Sequence, residues 1–260
     1  MSRVVAPAKL TLDLAVTGVR ADGYHELRSE MVSLSLADEL VFTDGEDGLT
    51  VAADPGTRAE LLGDQADNLV TRALAAVGRR AAVHVLKRIP LGGGLGGGST
   101  DAAAVLRWAG CTDPEVALAL GSDVPFSVIG GRALVEGTGG QVTPLPFEPR
   151  RFLLLVPPFG VTTSKVYATW DDLTAREQAG AEGNALTTAA LRVEPRLLAW
   201  RDALGTLTGR SPVLAGSGST WFVEEDTPSR GAEDVAWLTL GDERARLIRA
   251  HTVPSGWSGS

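Results

Sequence analysis

Polar and apolar side chains alternate along residues 9–14 (Lys-Leu-Thr-Leu-Asp-Leu) and 31–36 (Met-Val-Ser-Leu-Ser-Leu), the period of half-buried strands, and residues 49–51 resume that pattern after the Asp44-Gly45 turn. Residues 68–77 carry leucine, valine and alanine on one helical face and stop at Gly78. An apolar run at 82–89 predicts a strand, and an alanine-rich run at 101–108 predicts a helix, with Ser99 or Thr100 as N-cap and Asp101 in the first turn. A short helix is expected from Asp113-Pro114 to Leu120, followed by glycine-bounded strands at 126–129 and 132–135. Residues 141–151 hold three prolines and no periodicity, which places a domain boundary there: residues 1–148, then 149–254, with 255–260 as a fraying tail. The second half opens on the apolar strand 152–156. It continues with helical patterns near 164–173, 185–191 and 195–204, and ends on strands at 213–214 and 221–223 around a second glycine turn, residues 215–220. No internal repeat is visible.

Between the strand at 82–89 and the helix at 101–108 lie Pro90, Leu91, Gly92, Gly93, Gly94, Leu95, Gly96, Gly97, Gly98 and Ser99. Six glycines are entropically costly on folding, and are explained by positive φ angles or by a backbone that must approach something closely. Bare N–H groups leading into a helix N-terminus suit a polyphosphate. A flexible linker is the plain alternative, but a linker is serine-rich and lies between domains, whereas this loop joins a strand to a helix. From Gly93 to Thr100 the chain approximates G-x-x-x-x-G-K-[ST], yet Ser99 stands where that motif needs lysine. Gly92-x-Gly94-x-x-Gly97 satisfies G-x-G-x-x-G, but so would almost any glycine-rich run, and the turn does not follow the first strand of a βα series.

Composition narrows the function classes. The 260 residues are 44% hydrophobic and 22% charged, with a formal net charge of −8, and no basic stretch concentrates the 24 Lys and Arg. Nucleic acid and anionic membrane are therefore not expected as partners. Cys111, the single cysteine, forms no internal disulfide and reads as a small buried hydrophobe. No signal peptide or spanning segment is apparent, so a cytoplasmic location is expected.

The glycine loop still lacks a cation and a base. Pro7-Ala8-Lys9 and Gly121-Ser122-Asp123-Val124-Pro125, together with residues 90–99 and Gly216-Ser217-Gly218-Ser219, resemble the ordered motifs of the GHMP kinases, which phosphorylate small alcohols from ATP. Residues 20–27 (Arg-Ala-Asp-Gly-Tyr-His-Glu-Leu) and 94–103 (Gly-Leu-Gly-Gly-Gly-Ser-Thr-Asp-Ala-Ala) resemble one branch, the 4-diphosphocytidyl-2-C-methyl-D-erythritol kinases. The resemblance covers nearly the whole chain. It implies a two-domain α/β (α+β) fold, an N-terminal ribosomal-protein-S5-domain-2-like domain plus a C-terminal α/β sandwich, with the active site in the cleft. It also implies ATP and Mg2+, and phosphorylation of the 2-hydroxyl of a cytidine-diphosphate-linked methylerythritol on the non-mevalonate route to isoprenoid precursors.

Carried over position by position, the resemblance makes Asp123 the catalytic base and Lys9 the cation facing the transferring phosphoryl group. Read without it, Asp123 is a turn residue and Lys9 an exposed strand lysine. ATP is expected at residues 90–99 and Thr100, with nucleoside-side contacts from Asp67, Asn68, Leu69 and Lys87, whose plain readings are a helix cap and a solvated charge. The cytidyl substrate is expected at Thr11, Tyr24, His25, Thr162, Thr163, Tyr167, Gly216, Ser217 and Gly218, the aromatics stacking on cytosine. No carboxylate cage for a metal is visible, and Ser99 and Thr100 offer only hydroxyls. Two departures stand out: Thr11 occupies a position where the family commonly has asparagine, and the stretch from Arg107 to Asp123 is several residues short. A kinase for another small alcohol, or a non-catalytic nucleotide-binding member, therefore stays open at this point.

Overall fold

The computed structural model describes residues 1–58, 67–178, 183–226 and 236–259. A seven-stranded sheet is built from β1 (Ser2–Thr11), β2 (Ala15–Val19), β3 (His25–Asp44), β4 (Gly48–Ala53), β5 (Ala81–Lys87), β6 (Arg132–Gly137) and β7 (Gln141–Leu145). Its order is β4-β5-β3-β6-β7, with β1 and β2 also paired to β3, and only β4 and β5 run parallel. A five-stranded sheet, in the order β11-β12-β8-β10-β9, uses β8 (Arg151–Val156), β9 (Val213–Leu214), β10 (Trp221–Glu224), β11 (Ala236–Leu240) and β12 (Glu243–His251).

The apolar pattern explains the stacking. On β8, Leu153 and Leu155 enter a core with Trp200, Leu204 and Leu186, while Phe152, Leu154 and Val156 enter another with Leu10, Val32 and Leu34. Apolar side chains on both faces of a strand require cover on both faces. One face of β8 meets α5 (Thr163–Asp171), α7 (Thr187–Val193) and α8 (Leu197–Thr208), with α6 (Ala175–Gln178) nearby in sequence; the other meets the seven-stranded sheet. That larger sheet is covered on its far face by α1 (Leu69–Ala76), α2 (Gly97–Ala109), α3 (Pro114–Leu120) and α4 (Val124–Ile129). The result is a helix–sheet–sheet–helix stack. No helix among the described residues is long and apolar enough to cross a membrane.

Three elements differ from the pattern reading. Residues 126–129 are helical, within α4, because Asp123 and Pro125 open a helix whose Val124 and Phe126 are buried. Residues 141–145 form a strand paired to β6, and Pro144 is tolerated because β7 lies at the sheet edge. Neither Ser99 nor Thr100 caps α2: the N-cap is Gly96, at φ 71°, so Asp101 lies in the second turn. The glycine loop wraps directly into the helix and leaves no place for a side-chain cap.

Candidate active site

The register of β1 against β3 shifts between Pro7 and Lys9. The Lys9 N–H turns instead to the Leu95 carbonyl in the glycine loop, at 3.0 Å. That bond fastens the start of α2 to the strand carrying the lysine. The Lys9 side chain is only 7% exposed; its Nζ donates to Thr11 Oγ1 at 3.1 Å and lies 3.3 Å from Asp123 Oδ2. Thr11, in place of asparagine, thus serves as acceptor for the ammonium. Asp123 is the N-cap of α4 but its carboxylate caps no backbone N–H, so it faces the lysine rather than its own helix.

The shortened connection between Arg107 and Asp123 still holds α3 and delivers the carboxylate to the lysine. Arg107 on α2 helps fix it, donating to the carbonyls of Ser127 on α4 and Val5 on β1, while the Ser127 hydroxyl donates to the Asp123 carbonyl at 2.8 Å. Burial lowers the Arg107 pKa to about 10.

The two glycine turns meet backbone to backbone. A Cβ on Gly94, at φ +82°, would lie 2.6 Å from the Ala215 carbonyl oxygen, and one on Gly218 would lie 2.4 Å from Gly94 Cα. Thr220 N–H donates to the Gly93 carbonyl at 3.2 Å. A Cβ on Gly96 would lie 2.7 Å from Lys9 Cγ, and one on Gly216 would lie 3.5 Å from Lys9 Nζ. Part of the glycine content is therefore demanded by the protein's own packing. It brings residues 90–99 and 215–220 together beside Lys9. Within this turn region Pro90 is buried, Leu91 N–H donates to the Thr57 carbonyl at 3.0 Å, and Thr100 gives its hydroxyl proton to the Pro7 carbonyl at 2.7 Å.

Asn68, Leu69, Lys87, Leu91 and Gly98 come together around one small cavity of about 80 Å³, joined by Asp101, Val51 and Val85. Asn68 also caps α1 through Val70 N–H, whereas Asp67 is an exposed residue just before that cap. Lys87 is no solvated charge. It is ion-paired in the interior to Asp38 and, at 2.6 Å, to Asp101. Asp38 further accepts the N–H groups of Arg88 and Ile89, tying β3 to the chain that enters the glycine loop. Burial pushes the Asp101 carboxyl well above the carboxylate range, to about 8, against the pull of Lys87.

On the other flank, the His25 ring lies 4.7 Å from that of Tyr167 and edge-on to Trp170, and its Nε2 is 2.7 Å from Asp171 Oδ1. Tyr167 has its pKa raised by burial and, to a lesser degree, by the charge of Asp123. Thr163 Oγ1 and Ser217 Oγ are 3.0 Å apart, and Thr162 is the exposed N-cap of α5. Tyr24 is 67% exposed, and its ring joins none of these contacts among the described residues. Asp38, Asp171, Trp170 and Arg107 were not expected from the sequence. The spacing of Tyr167, Trp170 and Asp171 on one helical face was the available signal for two of them. Asp38 and Arg107 find their partners only through tertiary packing. No group of three or more His, Cys, Asp or Glu able to hold a metal ion occurs among the described residues.

Residues 68–131 match the family model of the GHMP kinases N terminal domain. The chain is 35% identical to a 4-diphosphocytidyl-2-C-methyl-D-erythritol kinase of Anaeromyxobacter sp. (strain Fw109-5), over 96% of this chain and 92% of that protein. It is 36% identical to the protein of that name from Pseudomonas entomophila (strain L48), over 94% and 90%. A crystal structure of 4-(cytidine 5'-diphospho)-2C-methyl-D-erythritol kinase superposes with a TM-score of 0.69 at 34% identity, covering 87% of this chain and 91% of that one. A mevalonate kinase structure, at 12% identity and a TM-score of 0.61, shares the fold.

Proposed function

Because the chain belongs to the 4-diphosphocytidyl-2-C-methyl-D-erythritol kinase family of GHMP kinases, we propose that Lys9 and Asp123 carry its chemistry. The enzyme transfers a phosphoryl group from ATP to the 2-hydroxyl of 4-diphosphocytidyl-2-C-methyl-D-erythritol, giving the 2-phosphate and ADP, a step in isoprenoid precursor synthesis. The observation that supports the residue assignment is the 3.3 Å contact between Lys9 Nζ and Asp123 Oδ2, with both glycine turns packed against the lysine.

In the transfer, Asp123 takes the proton of the substrate hydroxyl as its oxygen attacks the γ-phosphorus, and the bond to the ADP oxygen breaks. Lys9 faces the same oxygens, so its charge opposes the negative charge that develops on them. Positioning contributes much of the rest, since a displacement of about 1 Å can cost on the order of a hundredfold. Residues 90–99 and Thr100 form the phosphate side of the site, and Asn68, Leu69 and Lys87 lie on its nucleoside side. His25, Tyr167, Thr162, Thr163 and residues 216–218, with Tyr24 at their rim, form the cytidyl side. A Mg2+ accompanying the ATP phosphates would compensate their charge, and the start of α2 would offer it the Ser99 hydroxyl rather than a carboxylate cage. We place the division between the ATP-binding and C-terminal units at residues 148/149, in a cytoplasmic enzyme.

A coupled ADP-release assay tests the reading. Turnover is expected with the cytidyl substrate and not with mevalonate or homoserine. Equal turnover with either control, or ATP binding without ADP release, would sink it.

A further inference from the structure

Away from the catalytic residues, the two sheets enclose a cavity of about 470 Å³. Strand β1 contributes Arg3 and Val5, β3 contributes Glu39, the ends of β4 and β5 bring Asp54 and Arg88, and β12 brings Arg246. Arg3 lies six residues from Lys9 on one strand, about 20 Å along it, while Arg88 in the same lining directly follows Lys87 in the chain. Arg3, Arg88 and Arg246 against Glu39 and Asp54 leave a local excess of one positive charge in a chain whose formal charge is −8.

These charges are unevenly satisfied. Glu39 is taken by Arg3, with contacts of 2.7 and 2.8 Å, and is held below its ordinary pKa by that bond. Arg88 has only distant partners, Glu39 and Asp54, each at 3.6 Å. Arg246 is the exception that matters. It is 93% buried, because β12 turns it inward with Ile248, yet its Nε and Nη1 have no hydrogen-bond partner among the described residues. Burial lowers its pKa, with only the charge of Asp54 opposing. A buried guanidinium left without acceptors is costly, by more than a neutral donor would be.

We propose that this cavity is a second anion site, in which Arg246, with Arg88 in the same lining, binds a small polyanion of the diphosphate class. Planar guanidinium donors match phosphoryl oxygens, and the two phosphoryl groups of a diphosphate can engage two of them at once. The volume admits a diphosphate whole. A diphosphate can reach the protein as free pyrophosphate or as part of a nucleotide, and the two sources are separable.

Inorganic pyrophosphate is titrated calorimetrically into the full-length enzyme already saturated with a non-hydrolysable ATP analogue and the cytidyl substrate. One equivalent should bind, and Arg246→Met should weaken it by about 30-fold or more. Arg88→Gln, at the more exposed rim, should weaken it less and without disturbing the fold. In the ligand-free protein Arg246→Met should melt at the same temperature as the parent or higher, since it removes an unpaired buried charge. A melting point that falls would show Arg246 to be structural. Absence of pyrophosphate binding, binding unchanged in Arg246→Met, or displacement of the ATP analogue by pyrophosphate would each overturn the proposal.

Discussion

At the scale of single residues, Lys9 and Asp123 are held by different means, and this separates their mutational signatures. Asp123 is 27% exposed and caps nothing with its side chain, so Asp123→Asn should leave melting unchanged while lowering kcat by about 10²–10⁴. Lys9→Ala should likewise remove turnover with little loss of stability, because the partner it leaves behind reaches solvent. A melting point that falls in step with activity would refute both assignments. Asp171 is a positioning residue: it fixes one nitrogen of His25 and so the ring that stacks near Tyr167. Asp171→Asn should raise KM for the cytidyl substrate about tenfold, with KM for ATP and kcat nearly unchanged, and a drop in kcat alone would contradict that role. Lys9, Asp123 and His25 were legible in the sequence because each sits in a short motif. Asp171 was not, because its meaning depends on α5 lying across from the start of β3.

Between elements, the glycine-rich turns show how composition is misread when only a ligand is considered. Gly94 and Gly218 are required because two backbones touch, whereas Gly98 would place a Cβ 3.4 Å from Leu69 Cδ1 without a positive φ. Gly94→Ala combines a left-handed φ with a clash against a carbonyl, and should destabilise the protein by more than 2 kcal/mol and weaken ATP binding. Gly98→Ala should change stability by less than about 1 kcal/mol. Urea unfolding of the two variants decides the matter; equal losses would mean that the turns do not depend on this contact. The same competition between local pattern and packing explains what the pattern missed. The run Phe126-Ser127-Val128-Ile129 has strand-like composition, yet Pro125 at a helix start and the burial of Phe126 make it α4. Strand β3 extends over 20 residues, from His25 to Asp44, because it pairs with four neighbours, and only its alternating middle was visible beforehand. Local signals located β8, α1 and α3, where periodicity, caps and burial agree.

Across the whole molecule, the buried group of Lys87, Asp38 and Asp101 links the larger sheet, the entry to the glycine loop and α2, and it ties global stability to pH. One ammonium faces two carboxylates in the interior, so the group is neutral only if one carboxyl keeps its proton. Asp101 does so: burial raises its pKa from 3.8 to about 8. In the unfolded chain it ionises near its ordinary value. Between those two values the folded protein binds more protons than the unfolded one, so stability falls as pH rises from about 4 to about 8. The contribution is at most about 1.4 kcal/mol per pH unit. Other displaced groups act outside this window. Carboxylates such as Glu224, lowered by Arg150, lose their contribution only below their ordinary value of 4.5, while Arg107 and Lys87 act at alkaline pH. Urea unfolding at pH 5.5 and 7.5 should therefore show the parent protein losing stability over that interval. Asp101→Asn, which keeps an oxygen for Lys87 but cannot ionise, should be nearly flat. Parallel declines in the two proteins would mean that the proton on Asp101 does not set the slope, and that the interior tolerates both carboxylates charged.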